Sequence, residues 1–407
     1  MKRKTILNDI FAALALLLYF AELVFPKITT LFSSSLVCLI CFCFWIFSVL
    51  TIDYKFLLKK NNFILLLIYL YLSTYPLLFG NNTISNRYIS MSIILCGSII
   101  FQYYYVHNRL NILKKILTIT LFLAFITMQI TYSQLLLNPN ISRSIKSSGE
   151  YSLSLAQKGI GGYSFVYFIT ALSVPLLYYA IKVKNQLKRI IATIIYVFSV
   201  VFIIKSNYMT AFLTVIVCST ILIMLLIMSN KNIGFGLSIF IIGLLLILSF
   251  NVDNILTFIG DFLPDRISRV LISKNSETLT GSIMQEFLLD RFPTILTSLE
   301  ALINHPIAGA VGSKSLEYSG NFLIGFGQHS FIFDTFALFG LFGGMIGGYA
   351  VLSPMKNNKI WSNHFAFRIA MITCVLMLYF FNNATESIAL VVTIIAPFFA
   401  VELNNYV

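Results

Sequence analysis

The chain has 407 residues, of which 58% are hydrophobic and 11% are charged. A soluble domain carries about 25% charged residues, so no soluble core accommodates this composition; it reads as an all-α, polytopic membrane protein. The net charge of +13 is not a nucleic-acid signature here, because the cations fall in loops between apolar runs, where they set orientation.

The chain opens MKRK and enters an apolar stretch, Phe11 to Phe25, that lacks a small-x-small cleavage site. This is expected to be a retained first span and not a signal peptide. Crossing a bilayer takes about 17–25 apolar residues. Such runs fall near 8–26, 31–52, 62–80, 88–106, 113–137, 161–181, 190–204, 208–229, 232–250, 328–352, 364–381 and 385–402, about twelve spans in all. The 6 cysteines, Cys38, Cys41, Cys43, Cys96, Cys218 and Cys374, lie inside these runs, which argues against a disulfide framework. The cluster CLICFC (38–43) has no His, Asp or Glu near it in sequence and reads as buried thiols, not a metal site.

Orientation follows from the cations. With MKRK on the cytoplasmic side, that side also receives Lys55, Lys59, Lys60, Arg109, Lys114, Lys115, Lys188 and Arg189, and the short loops opposite hold far fewer. Both termini are therefore expected in the cytoplasm. The same alternation places 251–327 on the outer side as one long loop, dividing the chain into 1–250, 251–327 and 328–407. Loops this long are functional or disordered, and this one holds more than half of the chain's 15 acids. Within it, FPTILTSLEALI (292–303) spaces its apolar residues as a surface helix. Pro293 suits its first turn, and Pro306 stops it. A second polar outer loop, 138–162, runs into GIGGY (159–163) at the mouth of the sixth span.

A P-loop, GxGxxG, HExxH and GxSxG are all absent from the sequence. Charges within the spans are few: Glu22, Asp334 and Glu386 fall near outer ends, and Arg368 near an inner one. Ion-coupled transporters place acids at mid-membrane, so this pattern counts against a transporter. The remaining chemistry gathers at one interface. His305, His329, Asp334, Arg266, Arg269, Arg291, Lys205, Arg143 and Lys158 all map to the expected outer face. Guanidinium forks bind phosphate, and an imidazole or carboxylate takes a proton from an attacking hydroxyl. Such a set suits an anionic lipid headgroup such as a lipid diphosphate. Each residue also has a plainer reading. Loop arginines pair with loop acids, Asp334 favours a helix dipole, His329 caps a span, and GIGGY is a flexible entry.

Three stretches carry a resemblance to a family. NHPIAGAVGSKS (304–315) is similar to the "hPl.GvG.g.f" segment of the bacterial polysaccharide repeat-unit polymerases of the Wzy type, within the O-antigen polymerase and O-antigen ligase superfamily. QHSFIFDTFALFGLFGG (328–344) is similar to the "H(N/S)..l.....G..G" opening of the next span, and KSNYMTAFLTVI (205–216) to the "SR..ll.l" motif. In the third stretch Asn207 stands where the family has arginine, and Lys205 is the nearest cation. An Arg-x10-Gly pattern of some members is missing.

The resemblance implies a GT-C-like fold and a metal-independent glycosyltransferase without cofactor, in the bacterial cytoplasmic membrane. The donor would be a glycan on undecaprenyl diphosphate and the acceptor a lipid-linked repeat unit, joined into O-antigen or capsule. His305 and His329 would form the base or orienting pair, with Asp334 beside them. Arg266, Arg269, Arg291 and Lys205, with Arg143 and Lys158, are cations whose chemistry more than their motif suits them to hold the diphosphate, and Gly309 and Gly312 would shape a turn against it. Membrane lipids, a chain-length regulator and a flippase are the implied partners; nucleic acid is not. The alternatives are an O-antigen ligase, with the same chemistry on a different acceptor, and a lipid-linked oligosaccharide flippase or other transporter.

Overall fold

Backbone N–H and C=O groups find no water inside a bilayer, so apolar runs of this length close their hydrogen bonds internally, as helices. The computed structural model describes residues 2–30, 34–145, 150–229, 292–313, 318–319, 322–323, 330–382 and 386–404, and these are helical almost throughout. The main elements are α1 (Lys2–Val24), α2 (Ser34–Leu57), α3 (Lys60–Thr74), α4 (Asn82–Ser90), α5 (Ser92–Val106) and α6 (Leu110–Leu137). They continue with α7 (Tyr163–Lys182), α8 (Gln186–Lys205), α9 (Met209–Met228), α10 (Phe292–Asn304), α11 (Phe331–Leu352), α12 (Phe365–Phe381) and α13 (Glu386–Asn404). Tyr318–Ser319 pairs antiparallel with Phe322–Leu323. Among the described residues, nine helices are long and apolar enough to cross a membrane, counting α11 and the turn after it, Phe331–Lys356, as one. The chain is a polytopic helical membrane protein. The expected span at 232–250 and the loop as far as 291 lie outside the described residues.

Burial sorts the helices. In α13, 89% of the most apolar window is buried, in α7 83%, and in α8 only 22%. The first two form the axis of the bundle, whereas α8 turns Ile194 and Val197 outward. A π-helical stretch, Val391–Ile395, widens α13 where it meets α5. There Gly97 permits contact, because a Cβ on it would stand 2.2 Å from Thr393 Oγ1.

Tight turns close one end of the bundle with ion pairs. His107 meets Asp53 at 3.0 Å, Arg109 pairs with Asp9, and Glu402 takes Lys114 at 2.9 Å and Lys188 at 3.6 Å. Residues early in α1 and late in α13 are thereby both anchored at the start of α6. Among the described residues, the segment 138–145 and the turn after α10 lie at the opposite end, called the loop end below.

One expected span is corrected. The run 328–352 reads as a single crossing, but α11 breaks at Gly340, whose φ of 69° and ψ of −172° are non-helical. That region of backbone space is essentially restricted to glycine. The two halves then fold back on one another. In an unbroken helix Thr335 and Gly347 would stand about 18 Å apart. Here a Cβ on Gly347 would lie 3.1 Å from Thr335 Cγ2, and one on Gly344 would strike the Phe336 ring. Phe331–Phe339 therefore forms one arm of a V and Leu341–Leu352 the other, with the apex at the loop end beside Tyr75 and Tyr88.

Candidate functional site at the loop end

The amphipathic pattern at 292–303 emerges as α10, which packs against α11. Ser298 of α10 donates to Asp334 Oδ1 at 2.9 Å. Asp334 occupies the first turn of α11 and is 3% exposed, where a carboxylate also favours the helix dipole. One turn earlier, Ser330 accepts from Phe333 N–H at 3.3 Å as the N-cap.

The segment after α10 is a tight turn docked on the break in α11. His305 N–H donates to Ala301 O and His305 O accepts from Gly309 N–H, both at 3.0 Å. Pro306 O then accepts the Leu341 N–H at 2.8 Å, satisfying a donor that the break at Gly340 frees. Gly309 has φ +71°, and a Cβ on it would stand 2.2 Å from Leu338 O; one on Gly340 would stand 2.3 Å from Ile307 O. Tyr75 OH donates to Ala308 O at 3.2 Å and overlies Gly312. The glycines of NHPIAGAVG and FALFGLFGG thus serve each other, as two backbones that meet without side chains between them.

A second polar group adjoins the first arm of α11. Asn207, at φ 59°, and Tyr208 form the turn between α8 and α9. Arg143, from the single-turn helix Ile141–Ser144, donates through Nη2 to Asn207 O and holds its guanidinium carbon 4.8 Å from the Tyr208 ring centroid. Tyr208 OH donates to Ser142 O at 3.3 Å, and Asn207 Nδ2 to Asn140 Oδ1 at 3.4 Å. The rings of Tyr163, Tyr167 and Tyr208 cluster at 4.6–6.0 Å. Tyr163 OH donates to Asn382 Oδ1 at 3.1 Å, and Asn382 O accepts the Phe331 N–H at 3.0 Å. Arginine, three tyrosines and Asn382 therefore form one chain of contacts that ends at the start of α11. Buried atoms in it, among them Ser142 Oγ, Asn207 Oδ1 and Asn382 Nδ2, have no hydrogen-bond partner among the described residues. Buried polar atoms are normally satisfied, so this group has the capacity to bind a polar ligand.

The residues singled out by sequence separate into groups. Asp334, His305, Gly309 and Gly312 share the α10–α11 junction. Arg143 belongs to the tyrosine–asparagine group. Lys205 is half-buried in the last turn of α8, two residues before Asn207, but the cation on Asn207 is Arg143. Lys158 is exposed, just after the short helix Glu150–Gln157. His329, Arg266, Arg269 and Arg291 lie outside the described residues. Sequence reasoning missed Tyr163, Tyr208 and Asn382, which look like ordinary residues of membrane interfaces. It also left CLICFC without a carboxylate, and the fold supplies one: Cys38 Sγ lies 3.5 Å from Glu22 Oε2 as donor, both buried. All six cysteines are free.

No protein-family model, curated protein or solved structure matches the chain.

Proposed function

We propose that this protein is a membrane glycosyltransferase that joins lipid-diphosphate-linked oligosaccharide repeat units into a surface polysaccharide, working at the loop end of the bundle. The observation that carries this reading is Arg143 on Asn207. The KSNY stretch (205–208) lacks the arginine that the polymerase-like motif calls for, and a guanidinium from another loop stands at that turn instead. It is packed on an aromatic ring beside unpaired buried amide and hydroxyl atoms, a setting that suits an oxygen-rich anion.

In the reaction, an acceptor hydroxyl attacks the anomeric carbon of the donor. The carbon–oxygen bond to the diphosphate breaks, and the polyprenyl diphosphate leaves with the bonding pair. The hydroxyl proton passes to a base, for which Asp334 in the first turn of α11, His305 and His329 are the candidates. Arg143, with Lys205 nearby, stabilises the negative charge that grows on the leaving diphosphate. The outer leaflet of a bacterial cytoplasmic membrane, a twelve-span GT-C-like architecture and cytoplasmic termini belong to the same proposal.

The test is polymer formation from a lipid-linked repeat unit by the purified protein. Arg143→Ala is expected to lower kcat by about 10²–10³-fold, the usual cost of one lost charge-stabilising donor. Arg143→Lys restores only part of it, because an ammonium lacks the fork. Wild-type activity in Arg143→Ala refutes the assignment.

A further inference from the structure

We infer that the NHPIAG turn is a lipid contact, whose apolar tip, Ile303 and Ile307, dips into the headgroup–acyl boundary at the loop end. The contact is with the bilayer itself and does not depend on the transferase reading. One face of α10 is spent on α11, where Ser298 meets Asp334. What stays outside is the last turn of α10 and the turn that follows. Ile307 is 84% exposed, more than any other large apolar residue described, and Ile303 is 74% exposed. Pro306 and Ala308 are exposed beside them. Single exposed apolar side chains are ordinary, whereas a contiguous set marks a contact surface.

This set is contiguous. Tyr75, in the 3-10 turn Tyr75–Phe79 after α3, donates to Ala308 O at 3.2 Å. Side chains three apart eclipse in such a turn, so Leu78, 79% exposed, lies on the side of Tyr75. On the other flank Pro306 O accepts the Leu341 N–H, and Leu341 and Phe342 are both exposed.

Three observations say that lipid covers it. The first is continuity. Leu78 ends the stretch Lys60–Phe79 and Phe342 belongs to Phe331–Lys356, both long and apolar enough to cross a membrane. The turn therefore adjoins two flanks that face hydrocarbon. The second is charge: no Lys, Arg, Asp or Glu occurs from 301 to 313, so no ionised side chain opposes leaving water. The third is the backbone, since unsatisfied peptide groups keep a loop out of hydrocarbon. Here His305 O takes the Gly309 N–H, Pro306 O takes the Leu341 N–H and Ala308 O takes the Tyr75 hydroxyl, while Pro306 has no N–H to satisfy. Behind the tip, the rings of Tyr71, Tyr75 and Phe79 follow one another at 5.2 Å, and aromatic residues of this kind gather at membrane–water interfaces.

Ile307→Trp reports the depth directly, since the side chain it replaces is almost wholly exposed. The full chain is placed in vesicles of phosphatidylcholine and phosphatidylglycerol, and the emission of wild type, whose Trp45 and Trp361 are buried, is subtracted. Phosphatidylcholine brominated near the headgroup is expected to quench the added signal roughly twofold more than lipid brominated near the chain ends, as a depth of about 5–10 Å requires. Acrylamide in the water is expected to quench it severalfold less than it quenches free tryptophan. Phe342→Trp, on the exposed flank of α11, supplies the reference for a side chain against lipid, and Ile303→Trp takes the place of Ile307→Trp if that variant fails to fold. Full quenching by acrylamide with none by brominated lipid puts the tip in water and overturns the proposal. Protection from both quenchers shows that protein covers the tip, a second copy or another chain, and overturns it too. Stronger quenching from the chain ends sets the turn in the bilayer core and overturns the interfacial depth.

Discussion

Gly340→Ala tests the fold-back of α11 most directly. The substitution acts twice. A φ of 69° with ψ of −172° is strained for alanine by about 1–3 kcal/mol. The new Cβ would also stand 2.3 Å from Ile307 O, so the turn at 306–309 has to retreat. Retreat breaks the 2.8 Å bond from Leu341 N–H to Pro306 O, and a lost hydrogen bond costs about 0.5–1.5 kcal/mol. The sum is about 1.5–4.5 kcal/mol, which lowers Tm by roughly 2–5 °C in a chain of this size. Thermal unfolding of the purified protein in detergent measures it. Gly309→Ala is expected to behave alike, since its Cβ meets Leu338 O at 2.2 Å. The double variant provides the sharper check. Both substitutions undo one docking event, so the combined loss should fall well short of the sum of the single losses. Additive losses, or a Gly340→Ala protein as stable as wild type, would show that α11 does not turn back on this contact.

Other outcomes follow from the same geometry. Lys205→Ala is expected to reduce polymer formation less than Arg143→Ala, because Arg143 holds the Asn207 turn; the reverse order in parallel assays shifts the site to α8. Ser298→Ala removes a hydrogen bond to the buried Asp334 carboxylate and should cost about 1.5–3 kcal/mol, read by thermal unfolding. Glu402→Gln weakens the two lysine contacts at the tight-turn end, where Lys114 and Lys188 are substantially exposed, and should change stability by less than about 1 kcal/mol.

Most helices are legible in the sequence because hydrocarbon length alone decides them. The bounds of α6, α7 and α9 lie within a few residues of the runs 113–137, 161–181 and 208–229. The pattern that marks α10 is equally local. The break in α11 is not legible, since a glycine inside an apolar run is usually tolerated in a helix, and Gly340 departs from helical geometry only against the carbonyl of Ile307, far back in the chain. The site divides in the same way. Charge type and expected side picked out Arg143 and Asp334, but not their partners. Arg143 reaches Asn207 across 64 residues, and spacing within a motif pointed to Lys205 instead. Tyr163 and Asn382 carry no charge to draw attention and matter only because the chain brings them together.

The V in α11 also has its source outside its own helix. Leu341 gains its hydrogen-bond acceptor, Pro306 O, from the turn that follows α10. Without that turn, a segment in hydrocarbon can satisfy its backbone only as a continuous helix. Residues 331–352 can therefore bend only where the NHPIAG turn docks against Gly340. The V is thus completed by a turn made earlier in the chain, and not by anything within the helix that bends.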